Sequence, residues 1–122
     1  VADLDQAAVD LIVAKASVAA LSQHVRLAQL AVAETGRGVV EDKAVKNIFA
    51  CEHVTKSLRG LKTVGVIAVD ELRELVEIAE PVGIVAGITP VTNPTSTTIF
   101  KALLALRSSR SRAWRPSSVA PS

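Results

Sequence analysis

The sequence predicts an α/β chain that opens with helices and closes on a strand, a loop and a helix. Apolar side chains recur at helical spacing through residues 3–21, 23–34 and 41–58, which predicts three helices. A β-branched run at 75–79 and an unbroken apolar run at 82–88 follow, and Asn93-Pro94 then restarts a helical pattern. That order is the beginning of an α/β domain. One parallel strand cannot make a sheet, so further strands are expected downstream.

The first helix is predicted over 3–21, with Leu4, Ala7, Leu11, Val18 and Leu21 inward and Asp3 with Gln6 as a capping box. The second is predicted over 23–34, with Leu27, Leu30 and Ala31 inward. Gly36 stands where a left-handed C-terminal cap is needed, so Gly36-Arg37-Gly38 is a turn. The third, over 41–58, has acids in its first turn, Lys56 and Arg59 near its end, and Val45, Ile48, Cys51 and Leu58 on one stripe; Gly60 closes it. A strand is predicted over 75–79, ending at Glu80-Pro81, where proline favours an edge or a junction. Val82-Gly83-Ile84-Val85-Ala86-Gly87-Ile88 is continuously apolar and reads as the most buried strand, covered on both faces. In the last helix Asn93 is the cap, Pro94 the first helical residue, and Ile99, Phe100, Leu103 and Leu104 face inward.

Composition limits the core and the function. Of 122 residues 49% are hydrophobic, yet the only large rings are Phe49, Phe100 and Trp114, so the core must be built from Val, Ile, Leu and Ala. Net charge is +2, and before residue 107 bases and acids are interleaved, leaving no broad electrostatic footprint for nucleic acid. The excess lies in Arg107, Arg110, Arg112 and Arg115. Cys51 is the single cysteine and has no partner at metal-ligand spacing, which argues against a disulfide framework or a zinc site and for a reducing, cytoplasmic setting. No run of eighteen apolar residues exists, and Asp3, Asp5 and Asp10 stand where an export signal would be basic, so neither a membrane span nor a leader is expected.

Three stretches carry a resemblance: Ala33-Glu34-Thr35-Gly36-Arg37-Gly38-Val39-Val40-Glu41-Asp42-Lys43; Ile78-Ala79-Glu80-Pro81-Val82-Gly83-Ile84-Val85; and Ile88-Thr89-Pro90-Val91-Thr92-Asn93-Pro94-Thr95-Ser96-Thr97. In order and spacing they resemble the N-terminal part of CoA-acylating aldehyde dehydrogenases, as found in bifunctional aldehyde-alcohol dehydrogenases. The last stretch is the specific one, since Glu-Pro-Val-Gly occurs across the wider aldehyde dehydrogenase superfamily. The resemblance implies an oxidoreductase that interconverts an acetaldehyde-like aldehyde and acyl-CoA with NAD, using a cysteine nucleophile and coenzyme A as co-substrate, in a homo-oligomer. It also implies that Thr89, Pro90 and Thr92 lie along the cofactor and that Asn93 helps to hold the oxyanion of the adduct. Taken alone, Asn-Pro at a helix start is ordinary capping; an amide donor beside a helix N-terminus nevertheless suits developing negative charge.

Cys51 matches nothing in the family's nucleophile loop and reads as structural, mid-helix on an apolar stripe. His24 and His53 lack the neighbours of a triad and read as solvated or structural. The resemblance runs to residue 106; the Arg/Ser/Pro composition of 107–122 reads as a disordered tail that cannot supply a buried strand. The expected organisation is therefore a truncated aldehyde dehydrogenase N-terminal and cofactor segment over 1–106, inactive alone, and an unrelated tail over 107–122 produced by a frame change or a gene fragment. A competing class is a small helical interaction module whose arginine tail grips an acidic partner or nucleic acid, with Trp114 stacking on a base. A third role is pairing with another subunit through a strand edge around 75–82.

Overall fold

A computed structural model describes residues 4–114 of the chain. Its elements are α1 (Gln6–Ser22), α2 (His24–Thr35), α3 (Val40–Leu58), β1 (Gly65–Asp70), β2 (Leu75–Pro81), α4 (Pro94–Arg107) and β3 (Ser109–Trp114). Helices α1, α2, α3 and α4 pack together, and a three-stranded antiparallel sheet in the order β1-β2-β3 lies beside them.

The cap of α1 is Asp5 rather than Asp3, which lies outside the described residues. The Asp5 carboxylate accepts from the Ala8 backbone N–H at 2.7 Å. Gln6 Oε1 accepts from the backbone N–H groups of Thr63 and Val64 at 2.7 and 3.1 Å, tying α1 to the approach to β1. The buried face of α1 is Val9, Val13 and Ser17, while Leu11 and Val18, expected inward, are exposed. Apolar residues occupy 12 of the 17 positions of α1 and fall on every side of it, so spacing alone does not select a face. Packing selects the smaller side chains, and Ser17 is admitted because its hydroxyl donates to the Cys51 carbonyl oxygen at 2.7 Å.

Helix α2 ends as expected, with Gly36 at φ +62° and its N–H donating to the Val32 carbonyl. Glu41 and Asp42 in the first turn of α3 and Lys56 in its last turn match the helix dipole. Again the faces differ in part from expectation: Leu30, Val45, Phe100 and Leu104 are exposed. The core is Val9, Val13, Ala50, Cys51, Ile99 and Leu103, flanked by Leu4, Ala16, Ala20, Leu21, Leu27, Val64 and Leu106. It contains no aromatic ring, and each well-buried Val or Leu contributes about 1.5–3 kcal/mol.

Strand β1 was not legible in the sequence. It pairs antiparallel with β2, with a bulge between Val66 and Ala68, and the hairpin turn is closed by Asp70 Oδ1 accepting from the Arg73 N–H at 3.1 Å. The strand expected over 75–79 forms as β2, but at the centre of the sheet: β1 and β3 occupy both of its edges, so the proposed subunit pairing through 75–82 has no free edge on this strand. Pro81 ends β2, where a missing donor does least harm.

Residues 82–88, expected to form the most buried strand, form no strand; Ile84 is 99% exposed and Ile88 86%. A strand covered on both faces needs a sheet partner on each side, and among the described residues the sheet consists of β1, β2 and β3, with 82–88 paired to none of them. The tail is corrected as well. Helix α4 extends through Arg107, and Ser109–Trp114 pair with β2 from Pro81↔Ser109 to Val76↔Trp114, so a strand stands where a disordered tail was expected. Residues 115–122, with Arg115 and Pro116, lie outside the described residues.

Candidate functional site

The loop expected to contact a cofactor leads into α4, and one face of α3 holds it. Lys43, Lys46 and Asn47 stand at i, i+3 and i+4 and therefore share that face. Lys43 Nζ donates to the Thr92 carbonyl at 2.8 Å, Lys46 Nζ to Asn93 Oδ1 at 2.9 Å, and Asn47 Oδ1 accepts from Thr95 Oγ1 at 2.9 Å. The ammonium of Lys43, on a side chain that is almost wholly buried, thus has a carbonyl partner. Its stem runs past Gly38, where a Cβ would sit 3.1 Å from Lys43 Cε.

Asn93 occupies the cap position of α4 with Pro94 next, as expected, but its side chain makes no capping bond. The carboxamide oxygen goes to Lys46, and Nδ2 lies 3.4 Å from Thr92 Oγ1. Lysine has only donors, so its contact fixes which end of the amide faces it. The N-terminal N–H groups of α4 are left without a side-chain cap and carry its partial positive charge. Thr92 and Asn93 are thereby brought together at one helix end, while Thr89 and Pro90 lie exposed in the irregular segment before it. That segment is secured by Lys101, whose Nζ donates to the Ile88 carbonyl. Beside Asn93 is a shallow hollow of about 300 Å³ lined by Lys46, Phe49, Ala50, Asn93, Ser96, Thr97 and Phe100.

Sequence reasoning missed Lys43, Lys46 and Asn47, because polar residues on a helix ordinarily read as a solvated face. The available signal was their common spacing on α3. It also missed Arg107, which is buried: its guanidinium donates to Asp10 Oδ1 and to the Leu58 and Leu61 carbonyls. Arg107 is therefore turned into the protein and is withdrawn from any phosphate-gripping tail.

Cys51 is fully buried in the core, and burial, with the Glu52 carboxylate adding to it, pushes its thiol above the usual range. It has neither the access nor the acidity of a nucleophile. His24 Nδ1 lies 2.6 Å from the Leu21 carbonyl oxygen, and His53 stacks on Phe49 with ring centroids 4.7 Å apart. Among the described residues no group of three or more His, Cys, Asp or Glu side chains could hold a metal ion. No single helix among them is long and apolar enough to cross a membrane; α1 and α2 together would be, but they are bent by 62° where they meet.

No protein-family model matches the chain. It is 65% identical over 102 residues to aldehyde-alcohol dehydrogenase 2 of Entamoeba histolytica, a match covering 84% of this chain and 12% of that protein. It is 45% identical over 115 residues to the acylating sulfoacetaldehyde dehydrogenase of Cupriavidus necator, covering 93% and 23%. Among solved structures, the acetylating aldehyde dehydrogenase of Geobacillus thermoglucosidasius superposes with a TM-score of 0.84 at 53% identity, over 86% of this chain and 23% of that one. Helices, sheet and helix-end loop thus match the corresponding segment of that aldehyde dehydrogenase structure. Over its matched length the chain is a homologue of the acylating aldehyde dehydrogenases, the aldehyde-alcohol dehydrogenases among them, and spans only about an eighth to a quarter of their length.

Proposed function

We propose that the chain supplies one wall of the active site of an NAD-dependent acylating aldehyde dehydrogenase, with Asn93 as an oxyanion donor and Thr89, Pro90 and Thr92 along the cofactor. The observation that carries this reading is the state of Asn93 at the uncapped start of α4: its oxygen is held by Lys46, and Nδ2 has only a 3.4 Å contact with Thr92 Oγ1. Donors fixed in place before charge develops stabilise an oxyanion without reorganisation.

The exposed hydroxyl of Thr89, the ring of Pro90 and Thr92 beside a positive helix end fit the sugar and phosphate chemistry of a dinucleotide. The adjoining hollow of about 300 Å³ is at the small end for a ligand pocket, so it suits one part of such a molecule. When bound, NAD would accept hydride from the adduct and coenzyme A would take the acyl group. Burial of Cys51 supports placing the nucleophilic cysteine outside these 122 residues. A chain with one cysteine, buried in the core, fits a cytoplasmic setting, and the outer edge of β1 is a surface on which a homo-oligomer would build.

The test is a graft of residues 4–106 into the matching segment of the Entamoeba histolytica enzyme, to which the chain is 65% identical. The graft should retain NAD-linked oxidation of aldehyde to acyl-CoA. Asn93→Ala within it should lower kcat about 10²–10³-fold, as loss of an oxyanion donor does. An unchanged kcat in that variant would remove Asn93 from the reaction.

A further inference from the structure

We propose that Lys46 is a positioning residue for Asn93: an ammonium on α3 that sets the orientation of the carboxamide and polarises it, so that its N–H is presented outward as a stronger donor. The inference rests on the reading of Asn93 given above, but its evidence is separate. An asparagine preceding proline at a helix start would normally turn its oxygen back onto the helix N–H groups. Here it does not: the oxygen is 2.9 Å from Lys46 Nζ, and no side-chain capping bond forms. A lysine offers donors only, so the contact excludes the flipped amide, in which two sets of N–H donors would face each other.

Two neighbouring bonds keep the loop in register for this contact. Lys43 holds the carbonyl of Thr92 at 2.8 Å, and Asn47, which is fully buried, accepts from Thr95 Oγ1 at 2.9 Å. Residues 92, 93 and 95 are thus each fixed by one face of α3, and Lys46 is the member that reaches a side chain able to act on a substrate. A cation on the oxygen of an amide draws electron density from its nitrogen, and hydrogen bonds in series strengthen one another in this way. The loop backbone is held by Lys43 and Asn47, so loss of Lys46 should disturb the amide and leave the loop in place.

The measurement uses the full 122-residue chain, ¹⁵N-labelled, and follows the side-chain NH₂ pair of Asn93 in Lys46→Gln and Lys46→Arg. In Lys46→Gln the pair should shift and its protons exchange about two- to fivefold faster, the factor expected on losing an exposed charge-assisted contact, with the backbone amides of 92–95 little changed. Lys46→Arg should restore most of the effect, which a merely space-filling role would not require. In the parent chain, cross-relaxation should link the Lys46 Hε protons to the Asn93 Hβ protons and be weaker to the Hδ2 pair, whose nitrogen faces away from Lys46, a readout that stands even where a variant fails to fold. An Asn93 pair unmoved in Lys46→Gln, or no cross-relaxation in the parent chain, overturns the proposal. Neither result depends on turnover: Asn93 could fail as an oxyanion donor in the grafted enzyme while this coupling stands, and the reverse is equally open to observation.

Discussion

Asn47 and Thr95 join α3 to the first turn of α4 through a 2.9 Å hydrogen bond from Thr95 Oγ1 to Asn47 Oδ1, with the Asn47 side chain completely removed from solvent. The other end of the same carboxamide donates from Nδ2 to the His24 carbonyl at 2.9 Å, so one residue fastens the start of α2 and the start of α4 to the middle of α3. In a core of small aliphatic side chains such a junction has unusual weight, since it is directional where the rest of the packing is not.

Asn47→Leu should therefore destabilise the chain by about 1–3 kcal/mol, because the near-isosteric leucine leaves both the Thr95 hydroxyl and the His24 carbonyl without their partner. Asn47→Asp should cost at least as much, since the new carboxylate has no cation within its present contacts and loses the donor to His24. Denaturant unfolding measures both. A loss smaller than about 0.5 kcal/mol for either would mean that the α2–α3–α4 junction is held by apolar packing instead.

The helices were largely legible in the sequence because their ends carry local chemistry. Gly36 adopts φ +62°, and α2 and α3 begin and end within about one residue of expectation. Their faces were less legible. In α1 the choice between Leu11 or Val18 and Val9 or Val13 depends on what lies opposite, chiefly Cys51 and Leu103, and that is tertiary information. Strand β1 was missed because a short apolar run between Gly65 and Asp70 acquires its conformation from pairing with β2 across a bulge. At the candidate site the Asn93-Pro94 signature located the helix start. It could not reveal that the Asn93 oxygen is committed to Lys46, a residue 47 positions earlier.

Cys51 offers a test by pH. Its thiol is raised by burial first and by Glu52 second. The unfolded chain releases this proton near the ordinary thiol pKa of roughly 8.5, while the folded chain keeps it to higher pH. Above that value the unfolded state binds fewer protons than the native one, so the contribution of this group to stability is full below about pH 8 and declines as pH rises further. Unfolding measured from pH 7 to 10 in the parent chain and in Cys51→Ala should show a steeper alkaline loss in the parent. Alkylation at neutral pH should be slow when folded and rapid in denaturant; fast labelling of the folded chain would contradict a buried, protonated thiol.

The apolar segment 82–88 should make the chain adhesive. Ile84 is 99% exposed and Ile88 86%, and the same stretch borders an apolar hollow of about 590 Å³ lined by Val82, Val85, Ala102, Ala105 and Leu106. Because Ile84 loses no native contact of consequence, Ile84→Lys should leave unfolding free energy within about 0.5 kcal/mol of the parent. It should nevertheless reduce binding of a hydrophobic dye and concentration-dependent light scattering, since it breaks an uncovered apolar run. Unaltered association in Ile84→Lys would place the adhesive surface elsewhere, for instance at the exposed Leu72, Phe49 or Val18.

Gly36 and Gly38 provide a paired comparison that separates backbone strain from disturbance of the site. Both adopt positive φ, +62° and +81°, so replacement by alanine carries a conformational cost of about 1–2 kcal/mol at either position. A Cβ at Gly36 meets nothing within 4 Å, whereas at Gly38 it would lie 3.1 Å from Lys43 Cε and 3.5 Å from Nζ. That contact pushes on the lysine that holds the Thr92 carbonyl. The two alanine variants should accordingly lose comparable stability, but only Gly38→Ala should displace the backbone amide resonances of 92–95, more than 50 residues away in sequence. Equal, purely local spectra for both variants would mean that Lys43 has slack to yield and that the α3 face does not fix the loop; a shift at 92–95 confined to Gly38→Ala would tie the turn after α2 to the geometry of Asn93.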